Sequence, residues 1–290
     1  MKNSANISGE PGLHDARHAL TSPHSPRRRT PFPLRLARSA RLTLHLLEGV
    51  LTTGFVFPWV GTPRKHALIR HWSRRLLRML RIEARIHGLP AGDLAGNVLI
   101  VANHISWLDI FVLNALQPSR FIAKAELGRW PVVGRLITGV GTLYVERERR
   151  RHTHMVNRHA AEALARGDVI AIFPEGTTTD GTIVLPFQGS LLQPIVEAEG
   201  RVQPIAIRYR EPGGRHSDAP AYVGETSFIE SFWRITGERS LVVEVHLVPA
   251  LPARGRHRRE LARAAEHAIR TVLGSPPIAP GPDRRADPRA

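Results

Sequence analysis

From about residue 82 onward, short apolar runs alternate with stretches of helical periodicity, and this alternation constrains the fold more than any other feature. Ile82, Ala84 and Ile86 alternate with polar residues, while Asn97–Ala102 reads NVLIVA, a nearly continuous apolar run. Further strands are expected at Arg120–Lys124, Thr142–Val145, Val169–Phe173, Val202–Arg208 and Leu241–Val248. Helical stretches fall between them, near 107–116, 130–138, 152–166, 189–198 and 227–236, with a last one near 257–273. Strands and helices in alternation predict an α/β domain, a mostly parallel central sheet flanked by helices, over residues 82–274. No internal repeat interrupts the pattern. The chain has no cysteine, which excludes disulfides, thiolate zinc sites, iron–sulfur clusters and a thiol nucleophile.

The segment before this domain has a different character. Residues 1–33 are rich in Pro, Ser, His and Arg, and read as a disordered basic tail without the apolar region of a secretory signal. Leu42–Gly61 is mostly apolar, and twenty helical residues would rise about 30 Å, the thickness of a bilayer's hydrocarbon. Glu48 lies inside it, two glycines and Pro58 interrupt it, and both flanks are positive. Equal positive flanks ask for the same side of a membrane, so a half-inserted or re-entrant helix fits better than a span. A buried core helix is the alternative. Residues 66–81 follow with Leu68, Ile69, Trp72, Leu76, Met79 and Leu80 at helical spacing among five arginines, the pattern of an interfacial anchor. Residues 34–81 are therefore expected to form a two-helix membrane-docking motif. Residues 275–290 are expected to be a second disordered tail.

The formal net charge of +16 is concentrated in these flanking parts. Such a distribution fits an anionic surface, a membrane or a nucleic acid, with a compositional habit for Arg as the bland alternative. No helix-turn-helix, zinc-finger or RNA-binding signature accompanies the arginines, so no nucleic-acid partner is expected.

The chemistry lies at the ends of strands. Asn103–Asp109 reads NHISWLD directly after the buried strand. His104 and Asp109 would stand about 140° apart on one helix, but can meet if His104 lies in the loop and a helix starts at Ser106. Asp109 would then fix the imidazole tautomer, or else merely close a capping box on Ser106. A second cluster, FPEGTTTDG, places Glu175 and Gly176 where another strand opens into a loop, the usual place for ligand contacts in such sheets. Lys124 and Arg147 each follow a strand and would present cations at the same sheet edge, suiting an anionic substrate.

His-x-x-x-x-Asp at 104–109, the Gly141…Arg147 block, Phe-Pro-Glu-Gly at 173–176 and the apolar strand around Pro204 occur in one order. In that order and spacing they resemble the glycerolipid acyltransferase family, over roughly residues 95–210. The resemblance implies that His104 is a general base for a lysolipid hydroxyl and that Asp109 orients it. The activated oxygen would attack the thioester of acyl-CoA or acyl carrier protein directly, with no covalent acyl-enzyme, metal or cofactor. By the same resemblance Gly141, Arg147, Glu175, Gly176, Thr177 and Lys124 bind the acyl acceptor, and Pro204 shapes the acyl-donor side. The enzyme would sit on the cytoplasmic face of the inner membrane, monotopic or peripheral. The expected acceptor is 1-acylglycerol-3-phosphate, giving phosphatidic acid. One departure points elsewhere: family members acting on that acceptor commonly carry Arg at the position of Thr178. A Thr-Thr-x-Asp-Gly continuation resembles the subgroup that acylates lyso-ornithine lipid. A non-catalytic membrane scaffold is the alternative outside the enzyme class.

Overall fold

The computed structural model describes residues 30–88, 94, 96–129, 133–145 and 150–276. Both expected tails lie mainly outside these residues. Thr30, four residues before the expected boundary at 34, is held against the rest of the protein. Its amide donates to Gly237 O at 2.8 Å and its hydroxyl to Glu238 O at 2.9 Å.

Helix α1 spans Phe32–Leu51, opening with Pro33 in its first turn, where a missing N–H is tolerated. It starts ten residues before the expected Leu42 and stops short of Gly61. Thr52–Val56 forms a π turn and Phe57–Trp59 a 3-10 turn before α2, Thr62–Met79. The apolar run 42–61 is therefore one arm and the tip of a helical hairpin. The reason is local: Gly54 and Pro58 cannot sustain a helix interior, so the chain reverses there. His45 and Trp72 lock the two arms together. Their rings stack at 4.4 Å, His45 Nε2 bonds Trp72 O at 3.1 Å, and Trp72 Nε1 donates to His45 O at 3.1 Å.

The strands are β1 (Ile82–Gly88), β2 (Val98–Ala102), β3 (Arg120–Lys124), β4 (Leu143–Val145), β5 (Val169–Ile172), β6 (Arg201–Arg210), β7 (Leu241–Leu247) and β8 (Leu251–Pro252). They form one sheet in the order β1-β7-β6-β2-β5-β3-β4, with β8 also on β6. The pairs from β2 outward through β5, β3 and β4 are parallel, as are β2–β6 and β1–β7. Among the described strands, only β6–β7 and β6–β8 are antiparallel. The expected α/β fold with a mostly parallel sheet is present, and the two-residue β8 is its one unforeseen strand.

Helices cover both faces: α3 (Leu108–Leu116), α4 (Val133–Gly139), α5 (Arg150–Ala165), α6 (Gln193–Glu197), α7 (Phe228–Gly237) and α8 (Arg258–Leu273). The continuous apolar run in β2 follows from this layering. Val98, Ile100 and Ala102 face one core with Leu108 and Leu113, whereas Leu99 and Val101 face the other with Ala163 and Leu261. Leu42, Leu76, Leu77 and Leu80 of the hairpin belong to the first core. Apolar packing therefore runs unbroken across residue 81.

Candidate active site

The carboxyl ends of β2, β5 and β3 lie side by side, since these strands are adjacent and parallel. The topology thereby gathers the loop after β2, the loop after β5 and Lys124 on one edge. Neither the pattern of strands nor the motifs alone could order them so.

The loop after β2 is held from every side. Asn103 continues the ladder by its side chain, donating from Nδ2 to Ile207 O at 3.0 Å and accepting from Ile207 N at 2.8 Å. Helix α3 starts at Leu108, two residues later than expected, and Asp109 accordingly reaches back past its first turn. Its Oδ2 accepts from His104 Nδ1 at 2.9 Å, Ile105 N at 2.7 Å and Ser106 N at 2.8 Å. Capping and imidazole contact thus coexist in one oxygen. The amides of Ile105 and Ser106 are occupied by that carboxylate, which keeps them out of the helix. Oδ1 accepts from the buried Tyr209 hydroxyl at 2.8 Å. Burial and the Asp109 charge beside it raise the Tyr209 phenol well above its usual pKa, so it remains a donor.

A carboxylate only accepts, so the proton on the 104 imidazole is at Nδ1 and the lone pair is at Nε2. The ring is partly exposed while Asp109 is fully buried. Phe173 covers one ring face, stacked at 3.9 Å and 8°, and Phe121 lies behind it at 6.0 Å. Sequence reasoning missed Asn103, Tyr209 and Phe173 as supports. An Asn right after a buried strand is the only signal that could have raised the first of them.

Glu175 is buried, and both its oxygens face backbone amides. Oε1 accepts from His104 N and Oε2 from Leu185 N, each at 2.7 Å. Burial pushes its carboxyl up to about 7, against those two amide bonds. Gly176 takes φ +76°, a left-handed conformation that suits glycine, and turns the chain to the exposed Thr177. Thr178 donates its hydroxyl to Tyr222 O, and Thr179 N donates to His104 O at 2.9 Å. The two motif loops are therefore hydrogen-bonded into one unit.

The other expected residues are placed as follows. Lys124 is exposed at the end of β3. Gly141, at φ +83° before β4, accepts from Arg120 Nε at 3.0 Å, and no contact joins it to His104 among the described residues. Arg147 and Trp130–Val132 lie outside the described residues. Pro204 sits inside β6 opposite Val101, at the gap between β8 and β7 where a missing amide costs little. Val248 N donates to its carbonyl at 3.1 Å.

Comparison with known proteins points to one family. A family profile described as Acyltransferase matches residues 82–208. The chain is 38% identical over 263 residues to the lyso-ornithine lipid O-acyltransferase of Pseudomonas aeruginosa, covering 87% of this chain and 97% of that protein. It is 34% identical over 243 residues to the 1-acyl-sn-glycerol-3-phosphate acyltransferase of Neisseria gonorrhoeae, covering 83% and 94%. The fold resembles the crystal structure of the 1-acyl-sn-glycerophosphate (LPA) acyltransferase PlsC from Thermotoga maritima, with a TM-score of 0.58 and 22% identity. That match covers 84% of this chain and all of the other.

Proposed function

The chain belongs to the glycerolipid acyltransferase family, and on that premise we propose that it esterifies a lysolipid hydroxyl with His104 as general base. The observation that carries the proposal is the bond from His104 Nδ1 to a fully buried Asp109 carboxylate, which leaves Nε2 free to take a proton. The acceptor oxygen attacks the thioester carbonyl of acyl-CoA or acyl carrier protein as its proton passes to Nε2. The carbon–sulfur bond then breaks and the same proton leaves with the thiolate. Asp109 stabilises the imidazolium between these steps, and no metal or cofactor takes part. Glu175 serves through the His104 and Leu185 amides, Gly176, Thr177, Lys124, Gly141 and Arg147 bind the acceptor, and Pro204 shapes the donor side.

For the acceptor, 1-acylglycerol-3-phosphate is supported by Lys124 on the active edge and by the Neisseria relative. A second reading, lyso-ornithine lipid, is favoured by Thr178, whose hydroxyl is committed to Tyr222 O and which brings no charge. A competition assay with both acceptors at equal concentration and a labelled donor decides between them. Transfer to neither, or full transfer by His104→Ala, would refute the proposal.

The hairpin is the proposed membrane-docking element. Phe55 and Trp59 at its tip are 72% and 86% exposed, and Leu36, Leu44, Leu47 and Leu51 form an exposed stripe on α1. No helix among the described residues is long and apolar enough to cross a membrane. A monotopic or peripheral seat on the cytoplasmic face of the inner membrane follows from the positive flanks.

A further inference from the structure

Away from the active edge, the first half of α1 and the second half of α2 enclose a pocket lined by Arg38, Arg41, Arg75, Arg78 and Arg81. No carboxylate among the described residues lines it. Five guanidinium groups held this close repel one another, and little in the protein compensates them. Arg75 pairs with Glu48 behind the pocket at 2.8 Å, and Arg38 Nη1 donates to Thr236 O at 3.0 Å and Glu238 O at 2.6 Å. Arg41, Arg78 and Arg81 have no acidic side chain within ion-pairing distance among the described residues. Burial, and then Arg81 across the pocket, lower the pKa of the Arg38 guanidinium below its usual value. The C-terminal dipole of α2 offsets about half a charge of this excess, far from all of it.

We infer that this pocket binds the phosphate of an anionic phospholipid that is not the substrate, and so sets the depth of the enzyme in the membrane. Arg presents planar donors that match phosphate oxygens, and several around one pocket form a fork for a single anion. A lipid rather than a free phosphate is indicated by position. Arg41 stands one turn from exposed Leu44, so a headgroup in the pocket has its acyl chains alongside the apolar stripe of α1. Arg64 and Lys65 follow the tip directly, so the hairpin lies along the interface, where the pocket arginines reach phosphate level and Phe55 and Trp59 reach the upper acyl chains. None of the pocket residues belongs to the loops around His104.

The inference rests on the docking role proposed for the hairpin, and its test separates the two. Partition of the full chain onto phosphatidylcholine vesicles, with and without phosphatidylglycerol, is measured for a pocket pair, Arg41→Gln/Arg78→Gln. A second pair, Arg41→Lys/Arg78→Lys, keeps both charges and removes only the planar forks. Loss of surface attraction alone weakens binding of the Gln pair to the anionic vesicles by roughly 30-fold and leaves the Lys pair level with the wild type. The Lys pair is expected to lose tenfold or more on the anionic vesicles, with its circular dichroism unchanged. Wild-type binding by the Lys pair would overturn the pocket and leave the docking role standing. Displacement by inorganic phosphate, beyond the effect of chloride at matched ionic strength, would overturn the lipid assignment. If the wild type binds no vesicle, the docking role fails, and titration with monomeric short-chain phosphatidylglycerol decides the pocket alone. Tight binding there that the pocket pair lacks supports it, and no binding refutes it.

Discussion

Replacing Asp109 by Asn removes one charge and keeps almost every contact, which makes it the sharpest probe of the site. The amide oxygen can stand where Oδ2 stands and still accept from His104 Nδ1 and the Ile105 and Ser106 amides. The amide nitrogen then faces the Tyr209 hydroxyl, which can rotate to accept instead of donate. The Tyr209 hydroxyl hydrogen and one amide hydrogen then lack acceptors, so the variant should fold but with its Tm lowered by roughly 5–10 °C. What is lost is the attraction between the carboxylate and an imidazolium about 4 Å away, centre to centre. At an effective dielectric near 20 this is about 4 kcal/mol for a full charge. A half-developed charge in the transition state gives about 2 kcal/mol, so kcat should fall between roughly 30- and 1,000-fold. KM for the acceptor should move little, because Asp109 is fully buried. The assay is release of free thiol from the acyl donor, with a lysolipid acceptor in mixed micelles, beside thermal unfolding. A folded Asp109→Asn enzyme with more than a third of wild-type kcat would refute the reasoning, since the carboxylate would then be only a cap.

Tyr209→Phe removes one neutral donor from Oδ1 without touching the imidazole, so kcat should fall about 3- to 10-fold; a loss equal to that of Asp109→Asn would mean the phenol acts directly. Glu175 has its carboxyl raised to about 7 by burial, so the folded state holds its proton where the unfolded state has lost it. Its contribution to stability is therefore full below about 4.5 and disappears as pH rises through 7, a change on the order of 3 kcal/mol. In urea unfolding at pH 5 and pH 8, Glu175→Gln should flatten that slope, and an identical slope in both proteins would refute the assignment. Phe55→Ser/Trp59→Ser should weaken partition onto zwitterionic vesicles by roughly 100-fold or more, from lost burial of two large apolar side chains; unchanged partition would place the membrane contact elsewhere. Thr178→Arg should shift acceptor preference toward the phosphate-bearing lysolipid in the competition assay, and an unchanged ratio would show that this position does not meet the headgroup.

The sequence alone determined the alternation of strands and helices, because period and length are local properties written in consecutive residues. The run NVLIVA announced a strand buried on both faces, and the sheet places it at the centre. The residues for acid–base chemistry were also readable, since His104 and Asp109 are five positions apart and the helix between them constrains their approach. Its start at Leu108, not Ser106, came from side-chain bonds that propensity does not contain. Tertiary structure alone decided which strands are neighbours, and so brought Glu175 to the amide of His104 across 71 positions and Tyr209 to Asp109 across 100. It also turned β7 antiparallel to β6, folded an apolar run of twenty residues into a hairpin arm and tip, and closed scattered arginines of two helices into one pocket. These are long-range pairings, fixed by burial and mutual hydrogen bonding of segments far apart in the chain, and no window of local sequence carries them.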